Sequence, residues 1–68
     1  MNFARELERK LTGSEYNKVA YYIEKASQAY EEDRDDIARS SLEDAVAILK
    51  ADGEYSAASK VEYYLRFC

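Results

Sequence analysis

At 68 residues with one cysteine and no histidine, the chain is a single domain whose core alone supplies only about 3–5 kcal/mol. It cannot build a disulfide framework or the usual zinc constellations. Its formal net charge is −4, with ten Lys and Arg scattered among fourteen Asp and Glu; there is no basic stripe, which excludes a general nucleic-acid binder.

Nearly half the residues are apolar, a third are charged, Pro is absent and Gly occurs twice, a composition that favours a folded helical domain over disorder. The opening "MNFARELERK" is charged from Arg5 onward and has no apolar run long enough for a signal peptide or a membrane span. With the unpaired Cys68, this leads us to expect a cytoplasmic protein with no membrane partner.

The first helix is expected from about Asn2 to Leu11, where Phe3, Leu7 and Leu11 recur every fourth residue and form one short stripe. A helix this short is not stable alone and must dock. In Thr12-Gly13-Ser14, Gly13 suits a left-handed position after that helix and Ser14 the N-cap of the next. The second helix should run from about Glu15 to Glu32, because Tyr16, Val19, Ile23, Ala26 and Tyr30 alternate steps of three and four.

The run "EEDRDD" at 31–36 interrupts that pattern. Asp33 or Asp35 is expected to cap the third helix, with the neighbouring carboxylates meeting the positive end of its dipole. Carboxylates at alternate positions also resemble a calcium loop. That comparison fails, because the sixth position counted from Asp33 is Ala38 where a Gly is needed, and the twelfth is Asp44 where a Glu is needed. No metal is expected.

A third helix is predicted from Arg34 or Asp36 to Ala51, with Ile37, Ala38, Leu42, Ala45, Val46 and Leu49 on a broad apolar face. Asp52-Gly53 should end it, Gly53 supplying a positive φ. The fourth helix is predicted from Glu54 to Arg66, with Ala57, Ala58, Val61, Tyr64, Leu65 and Cys68 on one side. The expected fold is therefore all-α and one domain over residues 1–68: a compact bundle of three long-to-medium helices plus a short N-terminal helix. The short connections require antiparallel hairpins.

"DDIARSSLEDAVAIL" at 35–49 and "GEYSAASKVEYYL" at 53–65 echo one another as a turn, a small residue and an apolar stripe. Through Gly53, Tyr55 and Ala58, the stretch "ADGEYSAASKVEYYL" resembles the second helix of a tetratricopeptide-type hairpin. The resemblance covers residues 51–65 and lacks the Trp-Leu-Gly-Tyr pattern, the closing Pro and the regular period. What it implies is shared hairpin packing.

Chemistry has few candidates. Without histidine, acid–base catalysis would fall to carboxylates, Lys or Tyr. The acidic residues lie mainly on polar faces, and Glu6 with Lys10 or Glu62 with Arg66 have the spacing of surface pairs. Cys68 has only Arg66 nearby in sequence to lower its pKa. We expect no enzyme and no cofactor.

The seven tyrosines are the informative residues. Tyr16, Tyr22, Tyr30 and Tyr64 fall on or beside the apolar stripes. Tyr21 sits among Asn17, Lys18, Glu24, Lys25 and Gln28, and Tyr63 among Ser59, Lys60, Glu62 and Arg66. Each Tyr-Tyr pair thus turns one ring in and one out, and Phe67 continues the edge that Tyr63 starts. Tyr21, Tyr63 and Phe67 are the expected partner-binding residues, since Tyr brings a large apolar body with a hydroxyl that tolerates water.

The reading is a non-enzymatic protein–protein interaction module, an adaptor or inhibitor of a larger protein partner, self-associating as a homodimer or other homo-oligomer. Short acidic chains of this kind include phage and plasmid products that bind host enzymes. The alternative is an acidic nucleic-acid mimic that blocks a DNA- or RNA-binding protein through Glu31, Glu32, Asp33, Asp35 and Asp36. Direct DNA reading is not expected, because the fourth helix offers only Lys60 and Arg66 beside Glu54 and Glu62.

Overall fold

The computed structural model describes residues 2–68. Four α-helices follow one another as α1 (Phe3–Lys10), α2 (Gly13–Glu31), α3 (Asp35–Ala51) and α4 (Tyr55–Glu62), and a 3₁₀ helix (Tyr63–Phe67) continues α4. The architecture is an all-α bundle with a short N-terminal helix, as the periodicities predict. The fourth helix is the one that departs, since its last turn tightens to three residues per turn.

The starts of α1 and α2 follow capping chemistry, whereas α3 and α4 begin without a side-chain cap bond. Asn2 caps α1, its Oδ1 accepting from Arg5 N at 3.1 Å. The cap of α2 is Thr12 and not Ser14: its hydroxyl accepts from Glu15 N at 3.1 Å while Glu15 Oε1 accepts from Thr12 N at 3.0 Å. This reciprocal pair satisfies two orphan donors at once. It draws Gly13 into the helix as its first residue, so Gly13 does not take the left-handed conformation.

Neither Asp33 nor Asp35 caps α3. The N-cap is Arg34, and no side chain accepts a bond there. Asp33 instead adopts φ 60° and closes α2: its N–H donates to Tyr30 O at 3.2 Å, and Arg34 N donates to Ala29 O at 2.8 Å. Asp35 and Asp36 do stand in the first turn of α3, at the positive end of its dipole.

The turn between α3 and α4 repeats this geometry twenty residues later in the numbering. Gly53, at φ 77°, donates to Lys50 O at 3.0 Å, and Glu54 N donates to Leu49 O at 2.8 Å. Both turns are Schellman closures, and the sequence echo around them is a repeated hairpin joint.

Cross-connections fix the topology. The start of α1 meets the end of α2 through the Phe3 and Tyr30 rings, 4.9 Å apart. The start of α2 meets the end of α3 through the Lys18–Asp52 ion pair. The start of α3 meets the end of the chain through Arg39, which donates to Leu65 O at 3.2 Å and Cys68 O at 3.0 Å. Successive helices are therefore antiparallel. The core between them holds Phe3, Leu7, Val19, Ile23, Leu42, Leu49, Val61 and Tyr64, all essentially without exposure. Each such side chain stabilises by about 1.5–3 kcal/mol on burial. Alanines at 26, 38, 45, 57 and 58 fill the remaining inner positions and let the helices approach closely. Every buried side-chain polar atom among the described residues has a partner; Ser27 Oγ, for example, reaches Asn2 Oδ1 at 3.3 Å.

Candidate functional site

Tyr63 and Phe67 form an exposed aromatic ridge where α4 passes into the 3₁₀ helix. They are 47% and 37% exposed, with ring centroids 5.7 Å apart in an edge-to-face arrangement. Beneath them Tyr64, buried in the core, meets Tyr63 edge-on at 5.2 Å and Phe3 at 5.2 Å. A ring in the core thus props up two rings in solvent. The 3₁₀ winding eclipses residues three apart, and Arg66 accordingly lies over the Tyr63 ring at 5.1 Å.

Lys10, at the end of α1, completes the ridge. Its Nζ donates to Tyr64 Oη at 2.9 Å and lies over the Tyr64 and Tyr63 rings at 5.1 and 5.5 Å. The bond to Tyr64 is the largest cause holding the Lys10 pKa above its ordinary value. Burial pushes the Tyr64 hydroxyl up as well, and the ammonium offsets part of that rise. Lys60 stands alongside and donates to Lys10 O at 3.1 Å. The ridge therefore presents apolar rings edged by Lys10, Lys60 and Arg66, three cations that form no ion pair among the described residues.

Tyr21 is exposed at 69%, but it stands on α2 away from the ridge. Its ring meets Tyr22 edge-on at 5.2 Å, and Lys25 lies over it at 5.9 Å. No ring contact joins it to Tyr63 or Phe67 among the described residues. The partner-binding residues named from sequence thus fall into a pair and a single.

Tyr55 was not among them and is 66% exposed. It opens α4 two turns before Tyr63 and so extends the same outer stripe. Its wheel position, off the Ala57, Ala58, Val61 and Tyr64 face, carried the signal.

Glu31, Glu32, Asp33, Asp35 and Asp36 are all exposed at the joint between α2 and α3. Arg34 pairs with Glu32 at 3.8 Å, and Gln28 Nε2 donates to Glu32 Oε2 at 3.2 Å. Among the described residues, no three of Cys, Asp and Glu converge as metal ligands.

Three further titratable groups depart from their ordinary values. Glu15 is held below the ordinary carboxylate range chiefly by the Thr12 backbone N–H, while Glu54 is raised chiefly by its hydrogen bond to Glu15. Cys68 is half-buried, with Sγ 3.7 Å from Tyr64 O; burial first, then Asp35, raises its thiol. Such a thiol is a poor nucleophile.

No helix among the described residues is long and apolar enough to cross a membrane. Comparison with protein-family models, with curated proteins and with solved structures yields no match for this chain.

Proposed function

We propose that the chain is a non-enzymatic protein-interaction module of the cytoplasm, an adaptor or inhibitor that engages a larger protein through the Tyr63–Phe67 ridge and also self-associates. The observation that carries this reading is the ridge itself: two exposed rings fixed from below by a buried ring and edged by Lys10, Lys60 and Arg66. Aromatic anchors on a rigid base are what interface hot spots use, because little side-chain entropy is lost on contact. Flanking cations favour a partner with carboxylates around an apolar cleft.

The test is capture of proteins from the extract of the source cell by the wild-type chain and by a Tyr63→Ser/Phe67→Ser variant. A defined protein retained by the first and lost by the second, with helicity unchanged, supports the reading. Equal capture by both chains sinks it.

A second reading, an acidic mimic of nucleic acid, draws on the exposure of Glu31, Glu32, Asp33, Asp35 and Asp36 at one joint. Arg34 and Arg39 dilute that field. Binding that weakens steeply with salt and survives loss of the ridge would favour it.

A further inference from the structure

The α2–α3 hairpin is covered on one side by α1 and by α4 with its 3₁₀ extension, and its other side is open. Helical geometry lines that open face with Tyr22, Lys25 and Ala29 from α2 and Ile37, Asp44 and Ile48 from α3. Tyr22, Ile37 and Ile48 are only half-buried. Shallow hollows open at the two ends of the face, one shared by Ala29 and Ile37, the other by Lys18 and Ile48.

The two walls carry opposite charge. Lys25 stands on α2 and Asp44 on α3, both exposed, and neither enters an ion pair among the described residues. They also stand within about one helical turn of each other in height. The Lys18–Asp52 ion pair fixes the alignment of the antiparallel helices near one end, and the hollow shared by Ala29 and Ile37 fixes it near the other. Counting inward, the first mark sets Lys25 against Ala45 and Tyr22 against Ile48, and the second sets Lys25 against Ser41; Asp44 falls within that span, on the open face.

We infer that a second copy of this chain covers the open α2–α3 face about a two-fold axis parallel to the two helices, with Lys25 of each copy against Asp44 of the other. Such an axis keeps height and exchanges left with right, so α2 of one copy meets α3 of the other. Tyr22 then packs against Ile48 of the second copy. Every helix in the resulting four-helix layer has antiparallel neighbours, and the isologous contact closes at two chains.

Size permits it. A specific interface takes about 800 Å² from each partner, roughly a fifth of the 4113 Å² surface, and the body measures 31 × 20 × 18 Å. This inference gives the self-association in the proposed function a surface of its own. It makes no use of the Tyr63–Phe67 ridge, so either can fail without the other.

Sedimentation velocity from micromolar to millimolar concentration, with circular dichroism as the folding control, tests it by charge exchange. The wild type should dimerise. Lys25→Glu and Asp44→Lys should each weaken the dimer at least about ten-fold, by placing like charges opposite twice. The double variant should recover it. Mixing the two single variants should yield a heterodimer, because each then supplies the charge that the other lacks. A strictly monomeric wild type, or a dimer that both reversals leave unchanged, would overturn the inference. So would a dimer lost on Tyr63→Ser and not on Lys25→Glu.

Discussion

The Lys10 ammonium donates to the Tyr64 hydroxyl at 2.9 Å, a bond that ties the end of α1 to the 3₁₀ helix 54 residues later. Both partners hold their protons more tightly in the folded chain. Tyr16 shares that direction through burial and then Glu24, and Lys18 through its bond to Asp52. In the unfolded chain these groups titrate at about pH 10. Their contribution is thus complete below that value and is lost as pH rises through the folded values. The urea midpoint should stay level through neutral pH and fall from about pH 10 upward, with a shallower fall in Tyr64→Phe. A midpoint that rises over the alkaline range would contradict this linkage.

The two glycines should respond to Ala with opposite sign. Gly13 opens α2 in helical conformation, and an added Cβ meets nothing within 4 Å. Gly13→Ala should therefore stabilise by about 0.4–1 kcal/mol. Gly53 also has open space around it, but at φ 77° the added Cβ costs roughly 1–2 kcal/mol in backbone strain. Asp33 occupies the equivalent position of the first joint at φ 60°, so Asp33→Gly should gain about 0.5 kcal/mol once the extra unfolded-state entropy is subtracted. Urea unfolding of the three variants checks all signs together.

Core and surface aromatics should separate cleanly. Leu49→Ala should cost about 2–5 kcal/mol and Tyr64→Ala about 3–5 kcal/mol, as both side chains are almost without exposure. Tyr21→Ser should stay within about 0.5 kcal/mol. Thermal melts of similar midpoint for all three would refute the inward and outward division of the rings.

Arg39 collects the carbonyls of Leu65 and Cys68 and so holds the end of the ridge. Arg39→Met should accelerate amide exchange across residues 63–68 and loosen Phe67, while α2 and α3 keep the protection set by global unfolding. Unchanged exchange at those amides would show that the 3₁₀ helix stands without Arg39.

The caps show where local pattern stops being sufficient. Thr12, Gly13 and Ser14 offer adjacent candidates, and the choice falls on Thr12 because only there does Glu15 reach back to close the reciprocal bond. That spacing was present in the sequence. At the next joint the acidic residues suggested a side-chain cap, yet α2 and α3 are joined so tightly that Asp33 is used in its backbone conformation to end α2.

By itself the sequence determined the number of helices, their approximate ends and the face each turns inward, because side chains three and four apart share a helix face whatever the rest of the chain does. It likewise set Tyr21 and Tyr63 outward and Tyr64 inward. It also put Phe67 on the edge that Tyr63 starts, and only the tertiary structure decided what braces that edge and that Tyr21 stands apart from it. Tyr63 and Phe67 rest on a buried Tyr64 that Phe3 and Lys10 hold from α1. Tyr21 is left apart on α2, since neighbourhood between helices depends on how they cross, and that is settled by contacts far apart in the chain.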